Sequence, residues 1–264
     1  MNYFFSRVIE SSSNNKEAIY RILKARGFLL ENVEGRFFLS DNAHKDDIEY
    51  LEYGLCKFNL GRIEAIKKPD YMAWIHINEN ALVQDAIQFF CEKMRIAYVV
   101  CMQKYDWKYF FRRTYGKKIP VRNLEPFIAY YVKALSSCGV LTNFSCDGNH
   151  EENGAVRIGA DYPFDIWMDC IMEIMLPEDY RLKNYSVERG AIAIDKLNKY
   201  ITYYELYRRA DWIYTHRYDI RMMKKMVCSK VKSLNIKELS DEKIEEFFVK
   251  SLKEEIERGW ISRW

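Results

Sequence analysis

Residues 140–160, VLTNFSCDGNHEENGAVRIGA, constrain this chain more than any other stretch. The polar run after Cys146 separates two short segments of alternating character, so the whole reads as strand, turn, strand. The flanking segments carry the apolar spacing of helices. Residues 121–137 are opened by Pro120 and ended by Gly139; residues 164–176 are opened by Pro163 and stopped before Pro177. With the turn at 147–153, Cys146 faces Gly154, Phe144 faces Val156 and Thr142 faces Ile158. Alternation then puts Thr142, Phe144, Cys146, Val156 and Ile158 on one apolar face, and Asn143, Ser145 and Arg157 on the other.

Element lengths extend this expectation. A helix over 121–137 is roughly 25 Å long at about 1.5 Å per residue, and the following strand roughly 20 Å at about 3.3 Å per step. As antiparallel neighbours they would bring Arg122 and Glu125 to the rim beside Cys146, with Glu173 returning from the second helix. The same lengths separate Cys138 from Cys146 by roughly 20 Å, too far to share a zinc ion with bonds of about 2.3 Å.

The remaining segments point to an α+β fold of antiparallel strands with packed helices, this central helix-hairpin-helix unit and long C-terminal helices. Residues 11–26 read as a helix capped by the serines and Asn14 and stopped by Gly27. Strands are expected at 28–30, 36–40, 50–60, 62–68 and 71–77, with a charged loop at 41–47 containing His44. In 71–77, Met72, Trp74 and His76 take one face, and Tyr71, Ala73, Ile75 and Ile77 the other. Residues 78–95 read as a helix burying Leu82, Ala86, Phe89 and Phe90; residues 96–102 as a buried strand. Weaker strands follow at 181–188 and 191–195. A tyrosine- and arginine-rich helical stretch spans 196–231 with a break near Ala210 and Asp211, and a last helix starts at Ser240 and runs to about Arg258. The composition shift at 104–122 suggests two modules, 1–103 and 104–264, able to pack as one domain.

The chain of 264 residues is 49% hydrophobic, enough for one large core. Its 41 Lys and Arg against 38 Asp and Glu exclude a strongly basic nucleic-acid binder but leave room for a local basic patch. Seven scattered cysteines without a CxxC pair, and no apolar run of signal-peptide or membrane-spanning length, point to free thiols in a reducing cytosol.

The pattern of helix, Gly139, Thr142, Ser145, Cys146 and Gly148, followed by His150 and a strand, resembles a segment of uncharacterised phage and prophage proteins with a T-x-x-S-C-x-G-H arrangement. It is also similar to the threonine-serine-cysteine-glycine segment of the wybutosine-synthesis methyltransferase family, which acts on transfer RNA with S-adenosylmethionine. Asn149 separates Gly148 from His150, and the arginine that follows the glycine in the methyltransferases is absent here. The resemblance spans about a dozen residues and implies the hairpin and a prokaryotic or phage origin.

Three kinds of chemistry are open. Cys146 can serve as a nucleophile, helped by His150, Asp147 or Arg157, or as a small apolar residue closing the hairpin. Cys146, Asp147 and His150 also form a zinc-type donor set, but without CxxC or HExxH spacing no metal is assigned. The stretch KYDWKYFFRRTYGKKIPVR interleaves Lys108, Arg112, Arg113 and Lys117 with aromatic rings, Arg208 and Arg209 repeat the theme, and Arg157 joins them as a nucleic-acid contact, so RNA or DNA is the expected partner. Trp107, Phe110 and Phe111 at helical spacing also suit a core. The phosphate-cradling loops GxGxxG and GxxxxGK[ST] and the GxSxG elbow are absent, so no cofactor is assigned. The sequence reading is therefore a cytoplasmic protein that engages nucleic acid or a nucleotide-like anion. A Cys146 enzyme, or a module binding a host protein, is the alternative, and no membrane is involved.

Overall fold

The computed structural model describes residues 2–68, 70–92, 106–112, 119–148, 156–181, 185–188, 191–194, 198–232, 234 and 239–258. The fold is α+β, with two four-stranded antiparallel sheets and helices packed between and around them. One buried cluster runs from Phe4 to Leu252 and takes residues from both halves of the chain.

Helices α1 (Asn2–Ile9) and α2 (Asn15–Ala25) come first. Asn14 caps α2 by accepting the Glu17 N–H at 2.9 Å, and Gly27, at φ +109°, ends it. Strands β1 (Leu30–Val33) and β2 (Arg36–Ser40) form a hairpin in which Val33 pairs with Arg36. Its two turn residues, Glu34 and Gly35, both have positive φ, the conformation whose twist matches paired strands.

The strand expected at 50–60 is instead the C-terminal part of helix α3 (Lys45–Lys57). Its start is set by His44, which the sequence placed in a loop. His44 Nδ1 accepts the Asp46 N–H at 3.1 Å, and Asp47 Oδ2 accepts the His44 N–H at 2.9 Å. Leu51 and Leu55 then face inward four residues apart. Gly54 lets α3 lie against Phe89, for a Cβ there would come within 2.0 Å of the ring.

Strands β3 (Gly61–Lys68) and β4 (Tyr71–Ile77) complete the first sheet in the order β1-β2-β4-β3. Ala73, Ile75 and Ile77 share a face as expected, and that face is buried. The expectation fails at the start of β4. Register shifts between Leu39 and Ser40, and between Ala65 and Lys68, rotate that end. Met72 therefore packs against the core, while the Tyr71 ring stacks on Phe38 at 4.8 Å.

Helix α4 (Val83–Cys91) buries Ala86, Phe89 and Phe90, but Leu82 precedes its first turn and is exposed. Residues 96–102 lie outside the described residues. After the short helix α5 (Trp107–Phe110), the helix expected from 121 begins later. Residues Val121–Asn123 form one 3-10 turn, and α6 runs from Pro126 to Ser137. Proline disfavours helical backbone in the residue before it, so Glu125 is extended and the helix starts at Pro126, not at Pro120. Helix α6 is buried almost all round, including Lys133, Ser136 and Ser137.

Strands β5 (Thr142–Cys146), β6 (Val156–Ala160), β7 (Tyr185–Glu188) and β8 (Ala191–Ile194) form the second sheet, in the order β5-β6-β8-β7. The central hairpin exists, but its register differs from the expected one. Cys146 pairs with Arg157, Ser145 with Ile158 and Thr142 with Ala160. An irregularity between Thr142 and Phe144 turns Phe144 into solvent, 48% exposed. Helix α7 (Phe164–Cys170) continues as a π turn over Ile171–Met175. The long helical stretch divides into α8 (Lys199–Thr215) and α9 (Arg217–Lys232). The break falls at His216, whose Nδ1 lies 2.8 Å from the Trp212 carbonyl, and not at Ala210 and Asp211, where α8 is continuous. Helix α10 (Asp241–Glu257) follows Ser240 as expected. Among the described residues, no helix is long and apolar enough to cross a membrane.

Candidate functional site

The end of β5 gathers part of the expected constellation. Glu125, extended ahead of α6, accepts the Asp147 N–H through Oε2. Tyr203 of α8 donates its hydroxyl to the Asp147 carbonyl at 2.8 Å, and its ring stacks on Phe127 at 4.4 Å. Burial first, then Asp147, Tyr200, Glu125 and Cys146, push the Tyr203 phenol far above its usual range. The Gly148 N–H points at Cys146 Sγ, 3.2 Å away. The thiol is therefore in polar company, yet Cys146 is 8% and Asp147 2% exposed. His150 lies outside the described residues. Among those residues, no group of three histidines, cysteines or carboxylates is arranged to hold a metal ion.

Two neighbours expected at this rim are elsewhere. Arg122 pairs with Asp46 of α3 at 2.9 Å. Glu173 lines a groove of about 670 Å³ between the π turn and α10, with Ile174, Arg181, Val249 and Lys253. Both corrections follow from the helix boundaries: the 3-10 turn carries Arg122 toward α3, and the π turn carries Glu173 toward α10.

The basic-aromatic stretches divide between core and surface. Trp107 and Phe110 meet Phe248 at 6.1 and 5.8 Å, so their rings tie α5 to α10. Lys108 and Arg112 are exposed, with the Arg112 guanidinium 4.9 Å from the Tyr109 ring centre. Arg113 and Lys117 lie outside the described residues. The segment re-enters at Ile119, whose carbonyl accepts from Lys133 Nζ at 2.9 Å. Two residues on, the Val121 N–H donates to Asp47 at 2.7 Å and the Val121 carbonyl accepts from Arg26 at 3.2 Å.

In α8, Arg208 covers the Tyr180 ring at 4.7 Å. Arg209 is 4% exposed and donates to the Tyr180 and Arg181 carbonyls at 2.5 and 2.9 Å, so it braces the fold from within. Arg157, half-buried on β6, lies across from Cys146 and Ala193. Apart from Arg157, these cations do not gather at Cys146: Arg208 and Arg209 cover or brace neighbouring elements, Lys108 stands on α5 and Arg112 just beyond it.

A different surface brings rings and cations together. On the first sheet, Phe37, Leu39, Ala73 and Ile75 belong to the main core cluster, whereas the opposite face carries Phe38, which is buried at 7% exposure, and the half-buried Tyr71 and Trp74. These three form a row that ends in His76. Phe38 lies 4.8 Å from Tyr71 and 6.3 Å from Trp74, each pair near-parallel, and Trp74 lies 4.0 Å from His76. The Arg36 guanidinium sits 5.3 Å from the Trp74 ring centre. Arg62, paired in register with His76, is exposed and has no side-chain partner among the described residues. Glu64, paired in register with Trp74, holds His76 Nε2 at 2.9 Å. Glu31 on the same face is tied to Arg217 at 2.5 Å. The alternation of Trp74 and His76 was visible in the sequence; Phe38 and Tyr71 joined them only through the hairpin and the register shift.

No family model matches the chain, and neither any curated protein nor any solved structure does.

Proposed function

We propose that this protein binds single-stranded nucleic acid on the outer face of its first sheet, around Tyr71 and Trp74. The observation behind the reading is the segregation of aromatic side chains. Half-buried Tyr71 and Trp74 flank the buried Phe38 ring on the face that also carries Arg36, Arg62 and His76. Partly exposed rings on a sheet surface can stack on unpaired bases, and flanking arginines take the phosphates. Glu31 on this face is paired with Arg217, and Arg36 and Arg62 are exposed on it to meet a polyanion.

The test is fluorescence anisotropy with labelled, unstructured oligonucleotides at low salt. Trp74→Ala and Arg36→Glu are expected to weaken retention, while Arg208→Glu, on the Tyr180 side, leaves it unchanged. Equal retention by all three variants and the native chain overturns the reading.

A second reading, a thiol enzyme centred on Cys146, is supported by the Gly148 N–H directed at the sulfur, since a donor there favours the thiolate. Its test is the reactivity of that thiol in the folded chain.

A further inference from the structure

Glu64 has no role in a surface that only stacks bases and holds phosphates, and a carboxylate there opposes the second task. It nevertheless stands directly across the β3–β4 ladder from Trp74. Opposed residues in an antiparallel pair bring their Cβ atoms within about 5.5 Å. Its side chain is 57% exposed. One oxygen, Oε2, is held by His76 Nε2 at 2.9 Å, and Oε1 has no hydrogen-bond partner among the described residues. His76 is itself stacked against Trp74 at 4.0 Å, so ring, imidazole and carboxylate are fixed relative to one another.

We infer that Glu64 makes this face selective for guanine: a base stacked on Trp74 presents its Watson–Crick edge to the Glu64 carboxylate. The inference rests on the nucleic-acid reading and deepens it. An ionised carboxylate only accepts hydrogen bonds, with two oxygens side by side. Guanine alone among the four bases offers two adjacent donors on that edge, N1–H and the 2-amino group. Adenine and cytosine each place an acceptor nitrogen beside their single amino group, and uracil or thymine flanks one N–H with two carbonyls. Each of those three would turn a lone pair toward the carboxylate, so Glu64 selects against them while it holds guanine. Arg36 over the Trp74 ring and Arg62 opposite His76 flank the same position and serve the phosphates on either side. The His76 contact orients Oε2 without using up its second lone pair.

Anisotropy titrations with single-stranded oligonucleotides that differ at one base test this. The set is a uracil or thymine strand carrying a central guanine, its adenine counterpart, and a counterpart with hypoxanthine, which keeps N1–H and lacks the 2-amino group. The native chain is expected to bind the guanine strand about 10-fold more tightly than the adenine strand, with the hypoxanthine strand between them. Glu64→Gln should bind all three alike while keeping affinity for the strand, and Trp74→Ala should lose affinity for all. Equal affinity of the native chain for the three strands overturns the role of Glu64 and leaves strand binding standing. Absence of binding to every strand overturns the nucleic-acid reading itself.

Discussion

Lys133 of α6 donates to Asp47 of α3 at 3.0 Å, and neither side chain reaches solvent. Burial pulls the Lys133 ammonium down from its ordinary pKa, and Asp47 opposes that pull. Asp47 also accepts the Val121 and His44 N–H groups, so one carboxylate joins the start of α3, the 3-10 turn and α6. Lys133→Met leaves that carboxylate buried without its cation. A loss of about 3–5 kcal/mol is expected in urea unfolding. A loss below about 1 kcal/mol would mean that the pair is solvated in solution.

Carboxylates recur every four residues along α7 and its π turn, at Asp165, Asp169 and Glu173, and Glu245 of α10 acts on the same group. Burial first, then Asp165, Glu173 and Glu245, push the Asp169 carboxyl up to about 7. A folded-state pKa above the unfolded one means that the folded chain holds the proton longer. Stability from this residue is therefore greatest below the unfolded carboxylate value, about 4. It declines as pH rises toward 7 and is level above that. Asp169→Asn should flatten this slope and, at pH 8, raise stability by on the order of 1 kcal/mol, about 2–4 °C in Tm. Parallel pH profiles of Tm for variant and native chain would contradict the assignment.

Close contact between α3 and α4 depends on Gly54, where an added Cβ meets the Phe89 ring at 2.0 Å. Gly54→Ala is expected to cost about 1–3 kcal/mol by overpacking, although alanine is the better helix former. Replacing Phe89 with leucine in that background should recover part of the loss. Thermal denaturation of the single and double variants checks this, and a neutral or stabilising Gly54→Ala contradicts the packing.

With Cys146 at 8% exposure, iodoacetamide is expected to label it only after unfolding in urea, whereas the exposed Cys56 reacts in the native chain. Peptide mapping of labelled protein distinguishes the two. Prompt native labelling at Cys146 would favour the thiol-enzyme reading over a structural role.

Most of the fold was legible wherever local signals were strong. Asn14 and Gly27 bounded α2, Ser240 opened α10, and the alternation in 71–77 put Ala73, Ile75 and Ile77 on one face of β4. Three features were not legible because periodicity alone does not show what decides them. Helix α3 was mistaken for a strand since Tyr50, Leu51, Tyr53 and Leu55 satisfy either period in a short window; the His44–Asp47 cap decides. The register at Cys146 depends on an irregularity beside Phe144. Arg209 looked like a surface cation, but its helix turns it toward the Tyr180 and Arg181 carbonyls. The outer face of the first sheet was half visible, since Trp74 and His76 share a parity, while Phe38 and Tyr71 are brought beside them by pairing and by a register shift.

That face carries the account, and salt-dependent strand binding examines it most directly. The native chain and the double variant Arg36→Gln, Arg62→Gln are titrated with one unstructured oligonucleotide over a range of salt concentrations. The account predicts that the native chain binds, that binding weakens as salt rises, and that the slope of log affinity against log salt is shallower in the variant by about 1.4, near 0.7 for each arginine removed. A native chain that binds with the same slope as the variant, or does not bind at all, contradicts it.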